Sequence, residues 1–363
     1  MKNTFGTSVA VTLFGESHGA MIGAVLDGIA PGIAVDEDFI ASRMALRRSV
    51  DALSTPRREA DAVRIVSGVV DGHTTGTPIT LFIENGDTKS AHYNELESIA
   101  RPGHADLTAY EKYHGFSDTR GGGHFSGRIT AGLVAAGAIA QSALEKKGIR
   151  IGTHIAACGG VSDREFGDLS TDLAALRDKP FAVLDEAQGE KMKAAILAAR
   201  SEGDSVGGIL ESAVTGLPAG VGEPWFDTLE GVLAHMLFSV PAVKGVEFGA
   251  GFGYAAMRGS EANDAFRMDG DRPITLTNHC GGILGGITNG MPLTVRIAIK
   301  PTPSIFKTQS TVNFKTGENA ELSLKGRHDP AIVHRARVVV DSAIALVLCD
   351  MLALRFGTDW LAK

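Results

Sequence analysis

Five of the eleven histidines in this chain of 363 residues stand in glycine-rich or charged segments: His18, His104, His124, His279 and His328. There an imidazole can face a cleft, and it titrates near neutral pH, so these five are the candidates for proton transfer. The others, His73, His92, His114, His154, His235 and His334, lie in polar stretches or beside helical segments with no partner suggested by spacing, and read as surface or packing residues. Basic residues gather near the same glycine-rich strings: Arg47, Arg48, Arg57, Arg58, Arg101, Arg120, Arg128, Lys300 and Arg327. A guanidinium is a planar fork matched to carboxylate and phosphate, so a small polyanionic substrate would account for several of them at once. Taken singly, each could equally salt-bridge to one of the 42 acidic residues. Ser126-Gly127, just before Arg128, could offer backbone N–H groups to a phosphate where a helix opens.

Other chemistries find no support. No HExxH string and no Cys/His ligand spacing is present, which argues against zinc. Gly15-Glu16-Ser17-His18-Gly19 lacks the central serine of a GxSxG elbow, and neighbours on a strand point to opposite faces, so Ser17 and His18 make a poor dyad. There is no Walker motif, and GGGHFSG lacks both the spacing and the preceding strand of a dinucleotide fingerprint. A net charge of −7 argues against nucleic-acid binding. Cys158, Cys280 and Cys349 are far apart and odd in number, hence read as buried thiols. The opening residues resemble neither a signal nor a transit peptide, and no run reaches the roughly 18 apolar residues of a membrane span, so a cytoplasmic protein with no membrane partner is expected.

The elements that must position these residues are legible in outline. Strand-like runs cover Ser8–Phe14, Val63–Val70, Ile79–Glu84, Ile151–Ala157, Gly208–Val214 and Leu293–Ile299. Arg128–Lys147 is apolar around most of its circumference and stops at Gly148, which predicts a buried helix. Ala331–Arg355 is a second such segment, with Asp329 as its N-cap and Pro330 at its first position. Leu169–Glu190 reads as a polar connection without the composition of a linker. Strands and helices do not alternate regularly, so the expected class is α+β in one domain over residues 1–363.

Taken together, the glycine-rich strings resemble the chorismate synthase family nearly end to end. Phe14-Gly15-Glu16-Ser17-His18-Gly19 is similar to its first signature, and Arg101-Pro102-Gly103-His104-Ala105-Asp106 to its second histidine motif. Arg120-Gly121-Gly122-Gly123, Val243-Lys244-Gly245-Val246-Glu247, Gly281-Gly282-Ile283-Leu284-Gly285-Gly286, Lys300-Pro301-Thr302-Pro303-Ser304 and Gly326-Arg327-His328-Asp329-Pro330 follow in family order. Two strings depart from the pattern. Many members have Arg-Ser-Ser-Ala-Arg-Glu-Thr where this chain has His124-Phe125-Ser126-Gly127-Arg128-Ile129-Thr130, which keeps the serine and the second arginine. After Arg47-Arg48 the usual proline, glycine and further arginine give way to Ser49-Val50-Asp51-Ala52, one residue shorter.

The resemblance implies helices sandwiched between antiparallel β-sheets, a homotetramer, and one reduced FMN per subunit, with NADPH serving some relatives as reductant. It implies a 1,4-anti elimination of the 3-phosphate and a C6 hydrogen from 5-enolpyruvylshikimate 3-phosphate, without net redox change, the last common step of the shikimate pathway. The implied catalytic residues are His18, His104, Asp329 and Ser17. The implied cofactor contacts are His124, Phe125, Ser126, Pro241, Ala242, Gly285, Lys300, Pro301, Thr302, Pro303, Ser304 and Arg327. Arg47, Arg48, Arg57, Arg101 and Arg128 are the implied contacts of substrate or NADPH. A flavin-dependent oxidoreductase and a non-catalytic phosphate binder are the competing classes.

Overall fold

The computed structural model describes residues 2–48, 53–54, 60–86, 98–324 and 329–363. Arg57, Arg58, Arg327, His328, His92 and the shortened stretch 49–52 lie outside the described residues. The chain runs through β1 (Thr4–Phe5), β2 (Ala10–Gly15), β3 (Met21–Asp27), α1 (Glu37–Ala45), β4 (Val63–Ser67), β5 (Val69–Val70), β6 (His73–Thr74), β7 (Ile79–Glu84), α2 (Asp106–Tyr113) and α3 (Thr130–Lys146). Then come β8 (Arg150–Cys158), β9 (Val161–Ser162), α4 (Leu169–Leu176), α5 (Glu186–Ser201), β10 (Gly208–Thr215), α6 (Leu229–Ser239), β11 (Val243–Phe248) and α7 (Gly259–Ala262). Three hairpins and a last strand and helix complete it: β12 (Phe266–Asp269), β13 (Arg272–Thr275), β14 (Ile283–Leu284), β15 (Ile287–Thr288), β16 (Leu293–Ile299), β17 (Gln309–Asn313), β18 (Glu318–Leu322) and α8 (Val333–Phe356).

Two five-stranded sheets, β1-β2-β3-β7-β4 and β11-β16-β10-β8-β9, carry the architecture, and every pairing within them is antiparallel. Helices α3 and α8 lie between them, α3 against β2, β3 and β7 of the first sheet, α8 against β8 and β10 of the second, and each against the other. This is the expected α+β sandwich. It follows from the strand patterns: β16 alternates buried and half-buried residues along its whole length, so only one of its faces needs a helix. α3 and α8 are buried along most of their length because each meets apolar surface on several sides.

Close approach is enforced at the centre. A Cβ on Gly137 of α3 would stand 2.3 Å from Ser342 Cβ of α8, and one on Gly132 would stand 2.6 Å from Gly23 O of β3. α3 ends as its sequence predicts, with Ile149 N–H donating to Leu144 O (3.0 Å) around Gly148 at φ 75°. α8 differs from expectation. It begins at Val333 with Ile332 at the cap position and no side-chain cap, so Asp329 does not cap it. Asp329 instead accepts from Nη1 of Arg335 (3.0 Å), the third residue of the helix. The connection Leu169–Glu190 holds all of α4 and the start of α5, capped by Asp168 and Asp185. No helix of the described residues is long and apolar enough to cross a membrane.

Candidate active site

The turn from β2 to β3 carries Ser17 and His18, and it is built from the outside in. Asn85, just after β7, donates through Nδ2 to Glu16 O (3.0 Å) and Gly19 O (2.9 Å), clasping both ends of the turn. Asn85 Oδ1 in turn accepts from Arg128 Nε (3.0 Å). Arg128 Nη2 reaches Glu84 O (3.2 Å), and its Nη1 is paired with Asp61. The other oxygen of Asp61 accepts from Arg47 Nη1 (3.0 Å), while Arg47 Nη2 reaches Gly127 O (3.2 Å) and Thr130 Oγ1 (3.1 Å). Arg47, Arg128 and Asp61 are all buried. Burial pulls the Arg47 guanidinium down to about 10, against the pull of Asp61 and with repulsion from Arg335 and Arg128. Arg335 closes the cluster by donating from Nε to Arg47 O (2.7 Å) and from Nη1 to Asp329.

The glycine triplet 121–123 is the wall on which two histidines meet. All three glycines have positive φ, 60°, 84° and 52°. A Cβ on Gly121 would lie 2.1 Å from both Cε1 and Nδ1 of His18 and 3.0 Å from Ser17 Oγ. One on Gly122 would lie 3.2 Å from both Cε1 and Nε2 of His104. The bare backbone therefore admits one imidazole at each of two successive residues, which is why side chains are missing here. Ser17 N–H donates to Gly123 O (3.1 Å), fixing the turn to the triplet.

His104 is set by its own motif. Its Nδ1 lies 2.8 Å from Asp106 Oδ1, and Arg101 donates to the same carboxylate from Nε (2.7 Å), Nη2 (2.7 Å) and its backbone N–H (3.0 Å). Burial would push the Asp106 carboxyl up, but hydrogen bonds from Arg101 and His104 outweigh it and hold it well below the usual carboxylate range. The motif is pinned from two sides. Ala100 N–H donates to Val312 O (3.1 Å) of β17, and Lys300 Nζ donates to Gly103 O. A Cβ on Gly103 would come within 3.1 Å of Pro303, so the Lys300–Ser304 loop and the His104 loop pack face to face. Burial, then repulsion from Lys244, lowers the Lys300 ammonium.

The remaining expected contacts fall into two places. Lys300 N–H donates to Ala242 O (2.9 Å), which joins Pro241-Ala242 to the Lys300 loop, and Ala242 holds a φ of 74° that is unusual for a residue with a side chain. His124 bonds Gly15 O through Nδ1 (2.8 Å), and Phe125 keeps its ring exposed beside Tyr113. Ser126 Oγ accepts the Arg128 N–H (3.3 Å), so that N–H is not open to a ligand phosphate. Arg48 is exposed and donates to Ala60 O (3.2 Å). Gly285 stands apart. It turns the β14–β15 hairpin, where Gly286 O accepts Leu229 N–H (2.9 Å) at the start of α6, whereas Pro241-Ala242 follow the end of α6, about 16 Å away along an eleven-residue helix. His279 is also remote, its carbonyl bonded to Ala250 N–H (2.7 Å) beyond β11.

Two of the histidines read as surface or packing residues take the packing place, with partners that spacing did not suggest. His154 is no surface residue: it is wholly buried on β8 with Asp163 Oδ2 at Nδ1 (2.9 Å) and Glu211 Oε2 at Nε2 (2.9 Å). Burial disfavours its charge, but the two carboxylates win and raise its pKa. His334 is buried too, with Ser54 Oγ 2.8 Å from Nε2, and burial, then Arg335, pushes it down to about 3. Sequence reasoning missed Asp61, Asn85, Asp106 and Arg335 as site-building residues. Only Asp106 carried a signal, two residues from His104 in the same string.

A planar anionic cofactor fits these residues. Ser17 Oγ and Thr302 Oγ1 are buried without a hydrogen-bond partner among the described residues, and both lie in the loops that frame the triplet. Phe125 adds an exposed ring at the same turn.

The model of the chorismate synthase family matches residues 9–353. A chorismate synthase of Dehalococcoides mccartyi is 48% identical over 360 residues, covering 98% of each chain. One of Pyrococcus abyssi is 47% identical over 350 residues, covering 96% of this chain and 97% of its own. A crystal structure of chorismate synthase superposes with a TM-score of 0.74 at 28% identity, over 97% of this chain and 94% of that one.

Proposed function

The chain belongs to the chorismate synthase family, and from that footing we propose how its residues divide the work of converting 5-enolpyruvylshikimate 3-phosphate to chorismate. The observation that carries the assignment is the glycine triplet with His18 against Gly121 and His104 against Gly122. His18 protonates the departing phosphate, a task suited to a group titrating near neutrality. Ser17 Oγ, buried beside it, donates a hydrogen bond to the same ligand. His104 faces the cofactor and balances its charge, and Asp329 takes up the proton removed at C6 as part of a relay.

Reduced FMN would be held by the 124–126 turn, Pro241-Ala242, the Lys300–Ser304 loop and Arg327, and when bound it supplies transient electron density. The protein's own part is to hold it, exclude water and place the proton donors. Arg48 supplies positive charge toward substrate or NADPH, Arg57 is assigned the same part from its place in the sequence, and Arg101 acts there through its pair with Asp106. Arg47 and Arg128, bonded to Asp61 and to the turn through Asn85, contribute field and position from behind. Gly285, set apart from Pro241-Ala242, would contact an FMN from a neighbouring copy in the homotetramer that the family resemblance implies. We read the chain as one catalytic domain acting in the cytoplasm.

The test is product formation with reduced FMN far below substrate concentration. A lyase turns over many times per flavin. An oxidoreductase stops after one equivalent, and a phosphate binder forms no product; either result refutes the assignment. FMN and substrate together should also raise the melting temperature more than either alone.

A further inference from the structure

His104 Nδ1 has two neighbours that make opposite demands. Arg101 Nη2, at 3.1 Å, could only donate to it, whereas Asp106 Oδ1, at 2.8 Å, could only accept from it. Arg101 Nη2 lies closer to Asp106 Oδ1, at 2.7 Å, and a bare Nδ1 would set its lone pair against that same carboxylate oxygen at 2.8 Å, a repulsion the longer Arg101 contact does not offset. Nδ1 must then carry a proton and donate it to Asp106. With Nδ1 engaged, the ring's other nitrogen is the one at Gly122, since a Cβ there would meet Nε2 at 3.2 Å. All three side chains are largely buried, with relative exposures of 10% for Arg101, 18% for His104 and 13% for Asp106, so water competes little for these bonds.

We propose that Asp106, itself held by Arg101, is a positioning residue that keeps the His104 proton on Nδ1 and so presents Nε2 to the glycine wall. The proposal rests on the assignment of His104 to the cofactor side of the site. A ligand-directed histidine with its far nitrogen tied to a carboxylate is a recurring way to fix ring orientation and tautomer. The arrangement also predicts how it fails. In Asp106→Asn the amide oxygen goes where Oδ2 was, because two of the three Arg101 donors, Nε and the backbone N–H, point there and only Nη2 points at Oδ1. The amide N–H group then faces His104 Nδ1 and donates to it, and the ring proton moves to Nε2.

The experiment is a two-bond ¹H–¹⁵N spectrum of histidine side chains in the FMN-free protein at about pH 8.5, with His104 assigned by its loss in His104→Gln. The expected result is a protonated Nδ1 in the parent and a bare Nδ1 in Asp106→Asn. Alongside it, kcat should fall by about 10² to 10³, the range of a lost electrostatic contact to the reacting centre, with substrate KM within about twofold. A bare Nδ1 in the parent, or a protonated one in the variant, overturns the positioning role. A proton that moves while kcat stays unchanged instead overturns the assignment of His104 to the reaction. The parent spectrum alone can deliver the first refutation, so the test survives a variant that does not fold.

Discussion

Gly121→Ala is the sharpest single perturbation of this site, because two separable penalties meet there. The residue has a φ of 60°, where an alanine costs about 1 to 2 kcal/mol. Its Cβ would also stand 2.1 Å from the His18 ring, where ordinary contact begins at 3.4 Å, so the ring must retreat by about 1.3 Å. His18 is buried, and a displacement of that size at a proton donor is enough to lower kcat about 10²-fold. Gly270→Ala is the matched control: it has the same φ of 60°, no atom within 4 Å of the new Cβ, and a place in the β12–β13 turn away from the site. Urea unfolding should show the backbone penalty alone for Gly270→Ala, with kcat within about twofold of the parent. Gly121→Ala should lose more stability than that, and in a His18→Ala background most of the excess should vanish, since the clashing ring is gone and only the 3.0 Å approach to Ser17 Oγ remains. A Gly121→Ala enzyme with parental kcat, or an excess that persists undiminished without the His18 ring, would refute the claim that this glycine exists to admit the imidazole.

Two further outcomes follow from the geometry. Since Asp329 pairs with Arg335 and does not cap α8, Asp329→Asn and Asp329→Ala should lose stability to within about 1 kcal/mol of each other while turnover drops sharply; a large stability loss confined to the alanine variant would restore the capping role. The raised pKa of His154 gives stability that is complete below the unfolded value, about 6.5, and lost as pH rises through the higher folded value. The parent's advantage over His154→Gln in urea unfolding should thus be larger at pH 6 than at pH 9, and an advantage that grows with pH would contradict the doubly paired imidazolium.

Much of this was legible in the sequence where one face of an element is buried. β7 and β16 match their predicted bounds, Ile79–Glu84 and Leu293–Ile299, because alternation survives when a helix covers only one side. β3 was hidden for the opposite reason: most of Met21–Asp27 is buried, with Gly23 at its centre, so neither alternation nor β-branched enrichment marks it. β11 begins at a register irregularity between Val243 and Gly245, after the strained Ala242, and its pattern is broken where it starts. The misplaced cap at Asp329 shows one local signal losing to another, a guanidinium six residues on in the first turn of the same helix.

The site divides along the same line. The glycine strings announce themselves because a backbone that must pass within contact distance of an imidazole tolerates no side chain, and that demand is written residue by residue. Asp61 has no comparable mark. Its role exists only because Arg47, on the chain after α1, and Arg128, before α3, arrive at its two oxygens from separate parts of the fold. Among the described residues of that cluster, three arginines (47, 128, 335) face two carboxylates (61, 329), one more positive charge than negative behind the turn that carries His18. An anionic substrate needs such a surplus, yet the arginines that provide it are spent on internal bonds. Residue type alone therefore points correctly to the sign of the ligand. The division between arginines that hold the turn and arginines that face outward appears only once the chain has folded.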